Sequence, residues 1–254
     1  MRNKLTDELA VCGMNATLAV GKYHPLTINR LFLREDRLKA FSDICKQLAE
    51  RKRPYKICED EELERVCKSV HHQGVVAMIE EPEVEPLSME DLELWANEGK
   101  TGIVLHSVGN DHNLGAIARA AAFFDASFIV LNEKDSEARL TTSAYRIAEG
   151  GLEHLMVRRI TNTAAFLNDA SKRIVTIGTD VRARMRIGDL GGIIKAAKKG
   201  RPGIALVLGN EETGLPQDVK DQCRNMLRIP GTGNIDSLNV SQAAALFLHA
   251  LFEL

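Results

Sequence analysis

Three short stretches of this sequence combine glycine with polar side chains that can hold a substrate and move a proton. They are SVGNDHNLGAIARAA (107–121), LGNEETGLP (208–216) and IPGTGNIDSLNVSQAAA (229–245). Each follows an apolar run that is typical of a β-strand, and glycine after a strand lets a ligand approach the backbone closely. Amide, carboxylate and hydroxyl groups in the same loops can orient a reacting group through hydrogen bonds. The three stretches are therefore candidates for one binding and catalytic site.

The glycines of the last stretch raise the question of nucleotide binding. A dinucleotide fingerprint needs G-x-G-x-x-G/A directly after a strand, but Asp236 occupies the third glycine position here. Its carboxylate would face a pyrophosphate unfavourably. The phosphate-loop signature GxxxxGK[ST] is also missing from the sequence. We therefore exclude binding of NAD, FAD or a nucleoside triphosphate by these patterns.

Taken in order, the stretches form the set N-x-G-x-x-x-R, L-G-N-E-x-x-G-L and I-P-x-x-G-x-x-x-S-L-N-V-S. This set resembles the SpoU (TrmH) family of RNA ribose 2′-O-methyltransferases, within the SPOUT superfamily, over about residues 100–254. The segments CGMNATLAV (12–20) and HHQGVVA (71–77) are similar to the ribosomal-protein-like RNA-binding extension of that family. The resemblance thus extends over nearly the whole chain.

The resemblance implies a fold, a cofactor and an assembly. Family members have a parallel sheet covered on both faces, and its C-terminal part is tied into a deep trefoil knot. The knot loops bind S-adenosylmethionine. Members are homodimers whose site is completed near the dimer interface, and their substrates are structured RNAs, either rRNA or tRNA.

The resemblance also assigns roles to individual residues. The positions carried over for cofactor binding are Thr179, Gly209, Ile229 and Leu238, and those carried over for catalysis are Asn113, Arg119, Glu211, Ser237 and Asn239. Because an arginine is effectively always protonated, it is a poor general base. We therefore expect Arg119 to grip the RNA phosphate beside the target hydroxyl. The two asparagines are expected to hold loops or the ribose, and Glu211 to anchor a loop or orient Arg119.

Each of these residues also has a purely structural interpretation. Asn113 could cap the N-terminus of the helix that follows it, and Ser237 or Ser241 could cap the last helix. Glu211 could belong to a simple turn, and an arginine among alanines usually extends its side chain to solvent. For each residue alone the structural interpretation is stronger, but for the ordered set the functional one is.

Apolar strands alternate with helices in the C-terminal part of the chain, which predicts a parallel sheet with helices on both faces. Strands are expected at 101–108, 127–132, 173–180, 203–210 and 226–230, and helices at 113–124, 161–172, 188–200 and 241–254. Ligands of such sheets bind outside the carboxyl ends of the strands. This places the three loops at one edge.

The N-terminal part mixes strands at 29–33, 54–58 and 74–79 with helices at 36–52 and 59–69. This pattern predicts a small α/β sandwich. Between the two parts lies EPEVEPLSMEDLELWANEGK (81–100), which is acidic and holds two prolines. The predicted organisation is therefore an RNA-binding domain at 1–80, an acidic linker at 81–100 and a methyltransferase domain at 101–254.

The formal net charge of −2 hides an uneven distribution. Seven of the 35 acidic residues lie in 81–100 with one basic residue, so both flanking parts are mildly basic. Basic clusters occur at 51–56, 158–159, 182–186 and 195–201. They are consistent with RNA held by its phosphates, and we expect RARMR (182–186) to line the path of the RNA.

Composition bounds the remaining possibilities. The five cysteines are widely spaced without a CxxC pair, and the histidines fit no ligand set, so we expect no disulfide framework and no metal. No apolar run reaches membrane-spanning length and no signal peptide is recognisable, which indicates a cytoplasmic protein without a membrane partner.

The last predicted helix is apolar around most of its circumference, which independently supports a dimer. Two functional hypotheses follow from the sequence. The first is an active ribose methyltransferase acting on rRNA or tRNA. The second is an RNA-binding or ribosome-assembly factor that keeps the scaffold and has lost catalysis.

Overall fold

The computed structural model describes residues 2–3, 7–133, 139–197 and 202–254. The strands are β1 (Arg2–Asn3), β2 (Glu8–Cys12), β3 (Ile28–Leu33), β4 (Tyr55–Ile57), β5 (Val75–Glu80), β6 (Thr101–Leu105), β7 (Phe128–Asn132), β8 (Met156–Ile160), β9 (Val175–Thr179), β10 (Met185–Arg186), β11 (Ile204–Leu208) and β12 (Asn225–Arg228). The helices are α1 (Met14–Tyr23), α2 (Ser42–Glu50), α3 (Asp60–Cys67), α4 (Met89–Asn97), α5 (Asp111–Phe123), α6 (Thr142–Ala148), α7 (Thr163–Ala170), α8 (Leu190–Ala196), α9 (Gln217–Lys220) and α10 (Val240–Phe252).

The chain divides into two compact units. The first joins Met1–Glu83 with Arg139–His154, and the second joins Val84–Ala138 with Leu155–Leu254. The segment Arg139–His154, which contains α6, therefore belongs to the first unit although it lies between two parts of the second in sequence.

The first unit is built on a sheet whose described strands follow the order β1-β2-β5-β3-β4. Only the β3–β4 pair is parallel, and the other neighbours are antiparallel. Alternating residues of β2 and β5 pack against α3 in one apolar cluster. Helix α1 packs closely on α2, since a Cβ at Gly21 would lie 2.2 Å from the Ile44 side chain. The sheet and helices form the predicted α/β arrangement.

The second unit contains a sheet with the order β10-β12-β9-β11-β6-β7-β8 within the described residues. Every neighbouring pair in it is parallel. Strands β6, β7 and β11 are buried along their whole length, as expected for strands covered on both faces. The predicted parallel α/β class is therefore confirmed.

Strands β6, β11, β9 and β12 are adjacent and point the same way. Their carboxyl ends therefore meet at one edge, and the loops after β6, β11 and β12 are the three stretches with candidate chemistry. Helices α5 and α10, which follow the first and last of these loops, pack against each other. The fold thus gathers residues that lie more than one hundred positions apart in sequence.

Residues 81–100 contain helix α4, where the sequence analysis expected a linker. Trp95 is fully buried, stacks on Phe128 with ring centroids 4.8 Å apart, and donates from Nε1 to the Ile204 carbonyl at 3.0 Å. A Cβ at Gly102 would lie 2.4 Å from the indole, so glycine makes room for it. Helix α4 belongs to the second unit, and of its acidic residues Glu90 and Glu93 are exposed while Asp91 takes part in the capping box with Ser88.

Other element boundaries differ from the prediction. The predicted helix at 36–52 is a 3-10 turn at Glu35–Arg37 followed by α2, and the predicted strand at 101–108 ends at Leu105. Strands β2 and β8 and helices α1 and α6 lack a sequence prediction. The last part of the predicted helix at 188–200, and of the basic cluster at 195–201, lies outside the described residues.

Candidate active site

Helix α5 begins one residue after Asn110, which caps it. The Asn110 Oδ1 accepts a hydrogen bond from the backbone N–H of His112 at 2.9 Å, the usual arrangement at a helix N-terminus. The alternative in which Asn113 caps this helix is therefore wrong. Asn113 lies inside the first turn and is 9% exposed, so its amide is directed into the protein.

The amide of Asn113 connects the three candidate loops. Its Nδ2 donates to Oε1 of Glu211 in the loop after β11, and its Oδ1 accepts from Nδ2 of Asn239 at 3.1 Å. Three of the five predicted catalytic residues are thus in direct contact. A buried amide is costly unless both of its ends are satisfied, and here both are.

Asn239 also forms the start of the last helix. Its Oδ1 accepts from the backbone N–H of Ser241 at 2.9 Å and from the Ser241 hydroxyl at 2.6 Å, so Asn239 caps α10. The interpretation of Ser237 or Ser241 as the cap is wrong. Capping and contact with Asn113 use opposite ends of the same amide, so one residue does both.

The direction of these hydrogen bonds is fixed by the backbone N–H of Ser241, which can only donate. Its N–H orients the oxygen of Asn239, so the nitrogen of Asn239 faces Asn113, and the nitrogen of Asn113 faces Glu211. This series of hydrogen bonds therefore ends on the Glu211 carboxylate, which can accept hydrogen bonds from several directions when it is ionised. Such an arrangement can hold three loops and present a carboxylate in a defined position.

Gly209 follows β11 and is held against its own loop. A Cβ at this position would lie 2.5 Å from the backbone carbon of Gly214 and 2.6 Å from the nitrogen of Leu215, so no other residue fits. Thr179 ends the neighbouring strand β9, and its hydroxyl donates to the Val207 carbonyl at 3.3 Å. Both predicted cofactor positions therefore lie at the carboxyl edge of the sheet.

The loop after β12 is exposed from residue 230 to residue 239. Leu238 is 47% exposed, Ile229 is half-buried, and the Ser237 hydroxyl has no hydrogen-bond partner among the described residues. This loop presents apolar surface and a hydroxyl group to solvent beside the Asn113 cluster. Ser237 is not bonded to that cluster.

Arg119 lies six residues after Asn113 on the same helix. Six residues of an α-helix correspond to about 240° of rotation and roughly 9 Å along the axis, so the two side chains leave the helix on different faces. Arg119 is exposed and lies one turn before Phe123, which is 78% exposed. Arg119 is not part of the hydrogen bonds that join Asn113 to Glu211 and Asn239.

Asn210 is a residue of this site that the sequence analysis did not select. Its side chain bonds within the loop after β11 and also to the loop after β6. The signal was present in the sequence, because asparagine favours turns in which its side chain bonds to the backbone two residues on. The link to the second loop depends on the sheet order and could not be read from the sequence.

The basic clusters differ in what their side chains contact. Arg158 pairs with Asp91 at 2.8 Å and Arg159 pairs with Glu133, while Arg51 donates to the carbonyls of Pro25 and Leu26. The arginines at 182, 184 and 186 are exposed and follow β9, which places them at the carboxyl edge. Beside them, burial opposes ionisation of Asp180, but the Lys220 ammonium and the Arg182 N–H hold the pKa of that carboxyl below its usual range.

No group of three histidine, cysteine or acidic side chains in the described residues is placed to hold a metal ion. None of the helices described is both long enough and apolar enough to cross a membrane.

Comparison with known proteins gives a consistent result. The sequence profile of the SpoU rRNA Methylase family matches residues 100–249, and the profile for RNA 2'-O ribose methyltransferase substrate binding matches residues 10–85. The 23S rRNA (guanosine-2'-O-)-methyltransferase RlmB of Acinetobacter baylyi is 33% identical over 74% of this chain and 73% of its own length. The RlmB protein of Bordetella pertussis is 28% identical over 94% of both chains.

A solved structure has the same fold. The SpoU methyltransferase AviRb from Streptomyces viridochromogenes, in complex with AdoMet (S-adenosylmethionine), superposes with a TM-score of 0.73 at 20% identity, covering 98% of this chain and 91% of that one. The family profile covers more than half of the chain and includes all three loops of the Asn113 cluster. The chain belongs to the SpoU family of RNA methyltransferases.

Proposed function

We propose that this chain transfers the methyl group of S-adenosylmethionine to a ribose 2′-hydroxyl of ribosomal or transfer RNA. The observation that carries this proposal is the hydrogen-bond chain from Ser241 through Asn239 and Asn113 to Glu211. It unites the three loops at the edge where parallel sheets bind ligands. Family membership supports the same activity.

The residues at this edge fit S-adenosylmethionine. Gly209 lets the loop after β11 fold closely on itself at Gly214 and Leu215, and we propose that its backbone groups face the cofactor. Ile229 and Leu238 offer apolar surface that can cover an adenine, while their backbone groups can bond to its edge. Thr179 lies at the end of the adjacent strand. When bound, the sulfonium supplies an activated methyl group.

The protein must still position the ribose 2′-hydroxyl and provide for the removal of its proton. Because the methyl group is already activated, the protein must hold the 2′-hydroxyl in line with it and accept its proton. We assign the Ser237 hydroxyl and the Asn239 amide to the ribose side of the site, and Glu211 to the placement of Asn113. Arg119 grips the neighbouring phosphate, which itself helps to take the proton.

We also propose that the active form is a homodimer. Phe123, Leu246 and Phe252 are about half or more exposed on α5 and α10, and a large exposed apolar patch typically marks an interface. Arg119 shares the outer face of α5 with Phe123. We therefore place Arg119 at the interface, where it serves the site of the second subunit, because it leaves α5 on a different face from Asn113.

Three further points belong to this proposal. The methyltransferase domain carries the trefoil knot that its family resemblance implies. The segment 10–85 and the arginines at 182, 184 and 186 bind the RNA by its shape and phosphates. We also propose that the activity is cytoplasmic.

The test is transfer of labelled methyl from S-adenosylmethionine to total RNA from cells that lack this gene, with Arg119→Ala protein alongside. We expect label in one RNA size class with the native protein and none above background with the variant. No label with folded native protein, on RNA that another methyltransferase modifies, would exclude catalysis on cellular RNA. Binding of that RNA would then favour the assembly-factor hypothesis.

A further inference from the structure

The side chain of Asn210 closes the loop that carries Glu211. Its Oδ1 accepts from the backbone N–H groups of Glu212 at 2.9 Å and Thr213 at 3.1 Å, and from the Thr213 hydroxyl at 3.3 Å. The backbone carbonyl of Asn210 accepts from Gly214 N–H at 2.9 Å, and Gly214 has a φ of +69°. The oxygen of this amide is fully used inside one tight turn.

The nitrogen of the same amide leaves the turn. Asn210 Nδ2 donates to the backbone carbonyl of Ser107 at 2.9 Å, in the loop that follows β6. Ser107 has a φ of +55°, in the left-handed region that residues other than glycine rarely adopt. Such a conformation persists where the surroundings hold it, and the bond from Asn210 is one of the contacts that do so.

Two links therefore cross between the same two loops. Asn210 bonds to Ser107, and the next residue, Glu211, bonds to Asn113 six positions further along the other loop and helix. Because Asn210 and Glu211 are adjacent, the first link fixes the backbone from which the Glu211 carboxylate extends. The Asn113 amide in turn holds Asn239, so a shift at Asn210 reaches all three loops.

We propose that Asn210 is a positioning residue for methyl transfer, whose amide nitrogen locks the loop after β11 to Ser107 and thereby holds Glu211 on Asn113. This inference rests on the proposed function and adds a residue that acts through Glu211. Both ends of the Asn210 amide bond to the protein itself, so we assign Asn210 no direct contact with the reacting groups.

The variant Asn210→Asp separates the two ends of the amide. It keeps oxygen acceptors for the turn and removes the N–H that reaches Ser107. The matched control is Asn162→Asp, because Asn162 Oδ1 accepts from Ala165 N–H at 3.0 Å to cap α7, where only the acceptor matters. We expect kcat to fall roughly 10- to 100-fold in Asn210→Asp, the cost of a small misplacement in a site. The KM for S-adenosylmethionine should stay within about threefold, and Asn162→Asp should match the native protein.

A double-mutant cycle distinguishes positioning from general structural damage. In a Glu211→Ala background, which removes the acceptor of the Asn113 N–H, Asn210→Asp should lower kcat by less than about threefold, because the link through which it acts is already lost. Full additivity of the two losses would overturn the proposal. If Asn210→Asp does not fold, Asn210→Ser takes its place in the cycle, since a short hydroxyl can accept in the turn and cannot reach Ser107.

A second measurement does not depend on turnover. Hydrogen exchange of the backbone amides in 107–113 should be faster in Asn210→Asp than in the native protein and unchanged in Asn162→Asp. Unaltered exchange in both variants would overturn the positioning role. A native protein that methylates no RNA would contradict the proposed function, and the exchange experiment would still decide whether Asn210 locks the two loops.

Discussion

A single backbone N–H at the start of α10 determines how the polar groups of the candidate site are oriented. It fixes the Asn239 amide, which fixes the Asn113 amide, and the last acceptor is the Glu211 carboxylate. Amide side chains suit this task because each carries a donor and an acceptor at opposite ends. An aspartate in place of either asparagine would put two acceptors face to face.

Gly209 allows a direct test of the cofactor site. In Gly209→Ala the new methyl group would lie about 2.5 Å from the Gly214 backbone, so the loop must move. We expect S-adenosylmethionine binding, measured by calorimetry, to weaken at least about tenfold. The matched control is Gly192→Ala in α8, where a Cβ meets nothing within 4 Å. That variant should bind normally and gain up to about 1 kcal/mol of stability. Equal affinity in both variants would contradict the assignment of Gly209.

Glu153 makes the stability of the first unit depend on pH. Burial raises the pKa of its carboxyl to about 7, while His24 Nε2 lies 3.0 Å from Oε2. The folded state therefore holds a proton that the unfolded state releases near pH 4.5. This contribution, up to roughly 3 kcal/mol, is fully present below pH 4.5 and is lost as the pH rises through about 7.

The variant Glu153→Gln removes this dependence. Its melting temperature should match that of the native protein below pH 4.5 and exceed it increasingly towards pH 8. Thermal unfolding followed by circular dichroism at several pH values measures this difference. Glu61→Gln, at an exposed position of α3, should keep the native pH slope. If the melting temperature of Glu153→Gln depended on pH as that of the native protein does, the Glu153 carboxyl would not be the group responsible.

Helices α5 and α10 each have two different sides. One side packs into the second unit through residues such as Ile117 and Phe247, and the other exposes Phe123, Leu246 and Phe252. A helix that is apolar on both sides needs a second partner, because large exposed apolar patches are unfavourable in water. The apolar residues of 241–254 thus fall into two groups: one packs into the second unit, and the other, which includes Leu246 and Phe252, is exposed on the opposite side of α10.

The variant Leu246→Glu tests whether this face joins two copies. A charge in the centre of an apolar interface should raise the dimer dissociation constant at least about 30-fold, the loss of one central contact. Analytical ultracentrifugation measures this change. Leu26→Glu is the matched control, because Leu26 is 71% exposed in the first unit. A dimer that is unaffected by Leu246→Glu would exclude this face.

Sequence patterns located most elements of the second unit because buried parallel strands are long apolar runs with little ambiguity. They failed at 81–100, where seven acidic residues concealed a helix anchored by Leu92 and Trp95. They also placed Asn113 and Glu211 in one site and could not show that these residues touch. Contacts between loops depend on sheet order, and no local pattern encodes that order.

The arginines that follow β9, at 182 and 184, are exposed, whereas Arg158 and Arg159 pair with acidic side chains of the protein. Double substitution of Arg182 and Arg184 by glutamate should weaken RNA binding at least tenfold at low salt. The slope of log affinity against log salt concentration should become shallower by about one to two, because one or two phosphate contacts are lost. The control is the same change at Lys172 and Arg173, which precede β9 at the opposite edge of the sheet. Filter binding over a range of salt concentrations measures both. Equal losses would show that only total charge matters.

The chain passes between its two units three times, at Glu83 to Val84, Ala138 to Arg139 and His154 to Leu155. Two modules joined by one tether can be separated by a single proteolytic cut or exchanged by a single recombination event. Here a cut between residues 83 and 84 leaves two covalent connections, and a gene fragment that ends there lacks α6. A gene exchange that replaces the whole first unit therefore needs breakpoints on both sides of Arg139–His154 as well as after Glu83, because that segment is encoded inside the second unit.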